Sequence, residues 1–374
     1  MGFRTFQTPY DWGRLDECKA IAKQVEGGII DLSVGSPVDP VPESVQKALA
    51  DASDAPNAHG YPLTIGTPAL RTAIADWFLN CRGIDLRPVG AGLVPTVGSK
   101  EAVALMASLL HLGEGDVVVQ PRISYPTYEI GTQLAGASVL KVDDVADVES
   151  WRHVPGVRAV WVNSPCNPTG EVFSAAQLTS IVGAARQIGA VVFSDECYAL
   201  MSWCSDASPS ALSANVCAGR ADGILVLYSL SKQSNMAGYR AAFIAGDKQI
   251  IDDMSVYRKQ VGQIISGPVQ AAMVTALRDT TSVFAQRKRY QQRLAKLVRA
   301  LGSYGYEVKM PAGALYIWVR ALSGGCWQDI DDLAHRGILV SPGEFYGAPD
   351  YLRISSTATD EAINEAVARL TSQR

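Results

Sequence analysis

From about residue 66 to about residue 247, short apolar runs alternate with stretches in which apolar residues recur at helical spacing. The runs at 92–97, 116–120, 157–162, 190–194, 223–228 and 241–245 are short and rich in strand-forming residues, and they predict buried strands. Between them, 67–80 (with Leu70, Ile74, Trp77 and Phe78 on one face), 100–112, 127–135 and 175–187 predict helices. This alternation predicts an α/β domain whose mostly parallel sheet is covered on both faces.

The pattern changes on both sides of that block. Residues 29–35 read as a short strand ending at Gly35, Pro37, Pro40 and Pro42 stiffen the next stretch, and 43–52 predicts a helix. Beyond 247 helices dominate, at 248–261, 268–278 and 283–301. Strands at 306–309, 314–319, 338–340 and 352–355 and helices at 327–336 and 360–370 complete the chain. The expected organisation is a large domain, 41–265, and a smaller α+β domain built from 1–40 and 266–374.

Composition narrows the classes of function. With 374 residues, 48% of them hydrophobic, the chain can bury a sizeable core without staples. A formal net charge of -4 and the lack of a long basic run argue against a nucleic-acid partner. The seven cysteines are odd in number and irregularly spaced, with no Cys-x-x-Cys, and the four histidines lack ligand spacing. Neither a metal site nor a disulfide framework is expected, and reduced thiols fit a cytoplasmic protein. No signal peptide and no bilayer-length apolar run are seen, so no membrane partner is expected.

The candidate chemistry sits at successive strand ends, where open α/β sheets bind ligands. Gly98-Ser99-Lys100 joins a strand to a helix, and the helix N-terminus offers N–H groups to an anion. Tyr125 follows the next strand and can stack on a flat ring. In the loop from Asn163 to Gly170, Asn167 is fixed by Pro168 and can donate its amide to an oxyanion. Asp195, at the end of a buried strand, needs a cation, either a protonated ring nitrogen or an arginine. Lys232 follows the strand 223–228, where desolvation would lower its pKa and free the amine to attack a carbonyl. Ser229 and Arg240 beside it suit a phosphate, and Arg353, inside an apolar strand, demands an anion such as a carboxylate. Each signal has a bland counterpart: a solvated lysine, a strand–helix turn, an Asp–Arg pair. Together they match the needs of pyridoxal 5′-phosphate.

On the segments from Asn163 to Gly170, Ser194 to Tyr198, Ser229 to Arg240 and Tyr351 to Ser355, the chain resembles the fold-type I, class I/II aminotransferases over nearly its whole length. The resemblance implies the fold of that group, with a mostly parallel seven-stranded sheet between helices in the large domain and a smaller α+β domain. It also implies that Lys232 links to the cofactor and moves the proton, and that Asp195 keeps the ring nitrogen protonated. Asn167 and Tyr198 would bond the ring oxygen, and Tyr125, or alternatively Tyr128, would stack on the ring. Ser99, Lys100, Ser229 and Arg240 would hold the phosphate, and Arg353 would clamp the substrate carboxylate, with Gly35 passing close to it. Tyr61, in His59-Gly60-Tyr61-Pro62, matches the segment that reaches a neighbouring subunit's phosphate, which implies a homodimer with shared sites.

Ser229 to Ala241, Pro268 to Met273 and Pro342 to Gly347 are further similar to the actinobacterial N-succinyl-diaminopimelate aminotransferases. That implies transfer between N-succinyl-LL-2,6-diaminopimelate and 2-oxoglutarate or glutamate, in lysine and diaminopimelate biosynthesis. An aminotransferase for aromatic or aliphatic amino acids, or a carbon–sulfur lyase on the same cofactor, are the alternatives. Burying the distal carboxylates of such a substrate calls for a further cation, with Arg4, Arg14, Arg258 and Lys259 as candidates.

Overall fold

The computed structural model describes residues 10–56, 58–205 and 207–372. Its centre is a seven-stranded sheet in the spatial order Ala91–Val97, Ala241–Asp247, Ile224–Ser229, Val191–Asp195, Val157–Asn163, Val117–Pro121, Ser138–Val142. All neighbours run parallel except Ala241–Asp247, which is antiparallel to the strands on both sides. The middle strands are buried along nearly their whole length, Ile224–Ser229 at every position, which is why they read as continuous apolar runs.

The helices that cover the sheet carry their own stop and start signals. In Pro68–Arg82, the Thr67 hydroxyl accepts from the Leu70 N–H at 3.2 Å, proline opens the first turn, and Gly83 closes it at φ 65°. Ala175–Gln187 starts on a Ser174–Gln177 capping box. Their apolar faces, with Trp77, Phe78, Leu178 and Ile181, join the sheet residues Val160, Val192 and Val226 in one core.

A second core forms around a three-stranded antiparallel sheet, Ser341–Pro342, Tyr351–Ser355, Tyr316–Arg320. It gathers Leu15, Ile30 and Leu32 with Leu294, Leu297, Ile330, Leu339, Leu352 and Leu370, so segments from the first and last parts of the described chain meet there. Ile30–Asp31 pairs in parallel with Ile338–Leu339. The helix Gly267–Arg278 buries Ala272, Met273 and Ala276 in the first core. The long helix Thr280–Tyr304 contributes to both cores, Val283 to the first and Leu294 and Leu297 to the second.

Some elements depart from the expected pattern. The edge strand Ser138–Val142 is half-exposed and carries Lys141, so it lacks the apolar run that marks its neighbours. The helix Asp16–Gln24 buries only Cys18 and Ala22, a stripe too thin to stand out. The strand expected at 306–309 does not form. Tyr316–Arg320 pairs with Tyr351–Ser355 alone, and Tyr306 is anchored by its hydroxyl, which donates to Asp329 at 2.8 Å. Among the described residues no helix is long and apolar enough to cross a membrane.

Candidate active site

The carboxyl ends of the parallel strands lie level, because Asn163 pairs with Asp195 and Asp195 with Leu227 in the ladders. A cavity of about 270 Å³ opens at that edge, between the sheet and the strand that carries Arg353. Ser99, Lys100, Tyr125, Asn167, Asp195, Tyr198, Ser229, Lys232, Arg240, Gly35 and Arg353 all line it. Tyr61 does not: its side chain is 99% exposed, so it cannot serve the cavity of its own chain.

Asp195 ends its strand buried. One oxygen accepts from the Cys197 N–H at 3.1 Å and the other from the Tyr128 hydroxyl at 2.8 Å. Tyr128 is itself buried and stacked on Trp161, 4.4 Å between centroids. It is therefore Tyr125 that borders the cavity, while Tyr128 stands behind Asp195 as a hydrogen-bond donor. No cation among the described residues pairs with Asp195, and burial pushes its carboxyl above the usual range. The Asp–Arg alternative is realised one residue later, where Glu196 meets Arg82 at 2.8 Å with both side chains buried.

Lys232 sits in the short helix Leu230–Gln233 that follows Ile224–Ser229, and Ser229 caps that helix by accepting from the Ser231 N–H. Burial lowers the pKa of Lys232, and Arg353 and Arg240 nearby lower it further. Its amine donates to the carbonyl of Gly35. Gly35 must be glycine, because a Cβ there would lie 2.1 Å from the Tyr316 hydroxyl. Arg240 holds a left-handed conformation at φ 55° and donates to the Ala237 carbonyl at 2.7 Å. Gly98 makes room for it, since a Cβ on Gly98 would meet its guanidinium at 2.1 Å.

Arg353 is 4% exposed. Its two terminal nitrogens donate to Asn167 Oδ1 at 3.0 Å and to the Ser33 carbonyl at 2.6 Å, while Nε has no partner among the described residues. The guanidinium lies 4.2 Å from the Tyr316 ring and 4.7 Å from the Tyr346 ring. No carboxylate forms a salt bridge with it among the described residues, so a buried cation without a counter-charge borders the cavity.

The nominated distal cations lie elsewhere. Arg14 is bound to Glu344 at 2.8 Å, Arg258 is buried against Glu101 at 3.1 Å, and Lys259 is exposed on its helix; none borders the cavity. Arg4 falls outside the described residues. Sequence patterns do not single out Tyr10, Trp12, Asn163, Cys197, Ser231 or Tyr316, all of which line the cavity. Asn163 and Cys197 stand within segments marked for other residues, and Asn163 Oδ1 accepts from the Asn167 N–H at 2.8 Å to shape that loop. Tyr10, Trp12 and Tyr316 come from distant parts of the chain, and no local signal marks them.

The donor set fits pyridoxal 5′-phosphate. Asp195 is a buried carboxylate without a cation among the described residues, Lys232 is an amine with a lowered pKa, and Gly98 leaves Arg240 beside a helix N-terminus. Comparison with known proteins agrees. Residues 27–370 match the model of the family described as aminotransferase class I and II. The "probable aminotransferase" of Mycobacterium tuberculosis is 44% identical, over 97% of this chain and 85% of that protein. The 4-dedimethylamino-4-oxo-anhydrotetracycline transaminase OxyQ of Streptomyces rimosus is 43% identical, over 97% of this chain and 98% of that one. Among solved structures, the "probable N-succinyldiaminopimelate aminotransferase" of Thermus thermophilus superposes with a TM-score of 0.85 at 27% identity, covering 96% of this chain and 99% of that one. The chain belongs to the class I and II aminotransferases, a family that depends on pyridoxal 5′-phosphate.

Proposed function

We propose that this class I and II aminotransferase moves an α-amino group between N-succinyl-LL-2,6-diaminopimelate and 2-oxoglutarate. The observation that carries the α-amino acid part is Arg353, a buried cation that borders the cavity and has no carboxylate partner among the described residues. The succinylated substrate is supported by the likeness to the Thermus protein of that name.

When bound, pyridoxal phosphate supplies the carbonyl that takes up the amino group and a ring that holds the electron pair released with the α-proton. The residues divide the remaining work. Lys232, whose pKa burial lowers, would hold the cofactor through its amine and move the proton at the α-carbon. Asp195 keeps the ring nitrogen protonated, and its hydrogen bonds from Tyr128 and Cys197 fix its orientation. Asn167 and Tyr198 would bond the ring oxygen, and Tyr125 would stack on the ring. Ser99, Lys100, Ser229 and Arg240 hold the phosphate. Arg353 clamps the α-carboxylate beside Gly35, and Asn167 orients one of its nitrogens. Tyr61 completes the phosphate site of a second subunit in a homodimer.

A second reading, an amino acid with a large ring, is favoured by Tyr10 and Trp12. Both line the cavity and pack edge-on against Phe345, at 5.5 and 5.3 Å. The Arg14–Glu344 pair and Trp327, whose indole N–H donates to Glu344, hold that segment in place. The Streptomyces relative is named for a tetracycline substrate. The test measures kcat/KM for N-succinyl-LL-diaminopimelate, phenylalanine, alanine and aspartate with 2-oxoglutarate as acceptor. The succinylated donor should lead by about 100-fold or more, since a site that bonds its polar arm rejects donors lacking it. If phenylalanine leads instead, and Trp12→Ala abolishes that lead, the ring reading replaces the first.

A further inference from the structure

Tyr316 opens the strand Tyr316–Arg320, opposite Ser355, and is 2% exposed. It meets several of the groups the site depends on. Its hydroxyl lies 2.8 Å from that of Tyr198. Its ring lies under the Arg353 guanidinium at 4.2 Å. Its phenol occupies the space a side chain on Gly35 would need, and the Gly35 carbonyl accepts from Lys232. Nothing in the local sequence distinguishes it from Ile317 or Trp318, because only the pairing of its strand decides which face turns inward.

We infer that Tyr316 is a positioning residue whose phenol donates to the oxygen of Tyr198, leaving the Tyr198 proton directed at the ring oxygen of the cofactor. The inference rests on the role proposed above for Tyr198. A phenol has one proton and two acceptor positions, so Tyr198 can donate outward only if its partner in the pair is the donor. A hydroxyl that accepts one hydrogen bond while giving another is polarised and donates more strongly. Stronger donation stabilises negative charge on the ring oxygen, and so lowers the pH at which the lysine-bound cofactor loses its proton. Arg353, Lys232, Cys197, Tyr125, Tyr290 and Tyr346 are the other titratable and charged groups that act on the pair, and Tyr316→Phe leaves each of them in place.

The experiment is a spectroscopic pH titration of the holoenzyme without substrate. In Tyr316→Phe, which keeps the ring over Arg353, the midpoint of the visible band should rise by about 0.3–1 pH unit, a 2- to 10-fold change in the ionisation constant. Tyr198→Phe should raise it further, and the double variant should match Tyr198→Phe, because the Tyr316 hydroxyl acts through Tyr198. An unmoved midpoint in Tyr316→Phe alongside a raised one in Tyr198→Phe overturns the inference, as does full additivity in the double variant. If Tyr198→Phe itself leaves the midpoint in place, the role of Tyr198 fails and the inference goes with it. Tyr316→Leu provides a check on the ring. With the ring over Arg353 gone, KM for the amino acid should rise about 30-fold, the scale of a desolvated cation–π contact. A KM unchanged from Tyr316→Phe would show that the ring does not position Arg353.

Discussion

Replacing Arg353 with leucine tests the carboxylate clamp, and the size of the effect follows from a count of donors. A guanidinium has five N–H donors. Two are engaged, to Asn167 and to the Ser33 carbonyl, which leaves three, including the unpartnered Nε. A substrate carboxylate can take two of them side by side. Hydrogen bonds to charged groups contribute about 1.5–3 kcal/mol each, so two lost bonds correspond to roughly 3–6 kcal/mol, or about two to four powers of ten in kcat/KM. The loss should fall mainly on KM, since the clamp holds the substrate before and during reaction alike. A second consequence separates clamp from scaffold. The wild-type enzyme should prefer an α-amino acid over the amine that lacks its carboxylate, and Arg353→Leu should erase most of that preference by lowering the acid's kcat/KM and sparing the amine's. The assay is steady-state kinetics on such a matched pair, with cofactor absorbance confirming that both proteins are loaded. A variant that is slow but still discriminates acid from amine as strongly as the wild type would refute the clamp and leave Arg353 a structural cation.

Two further outcomes follow from the same geometry. Burial raises the pKa of Asp195 in the cofactor-free protein, so the folded state binds that proton more tightly than the unfolded chain does. Stability is then lost as pH rises from the unfolded value through the folded one, and at neutral pH the bare carboxylate is a cost. Apo Asp195→Asn should melt above apo wild type at about pH 7, with the gap closing toward pH 4, while the holo variant loses most of its turnover; a lower melting point for the apo variant at neutral pH would contradict this. Because Tyr61 is fully exposed in its own chain, mixing inactive Tyr61→Ala and Lys232→Ala proteins should restore part of the activity through hybrid dimers that hold one intact site; sedimentation of the active enzyme as a monomer would rule the shared site out.

The sequence determined six of the sheet's seven strands, all but the half-exposed edge strand Ser138–Val142, and the sheet's chemical edge. Strands buried on both faces must be apolar throughout, so each marks itself, and the polar residue that breaks each run (Asn163, Asp195, Ser229) marks the end where ligands bind. Lys232 and Arg353 were legible for the same reason, as charges at or within apolar runs that require a partner. What the sequence withheld depends on pairing between distant segments. The expected strand at 306–309 has a suitable pattern, but a strand exists only if an edge accepts it, and here none does. Tyr125 and Tyr128 lie three residues apart on one segment, and the packing of Trp161 decides that Tyr128 turns inward to Asp195. Tyr198 and Tyr316 are 118 residues apart, and Tyr10 and Trp12 reach the cavity from the other end of the chain. Periodicity reports which face of an element is buried. Only the folded chain decides against what it is buried, and that is where the partners of Tyr198, Asp195 and Arg353 were set.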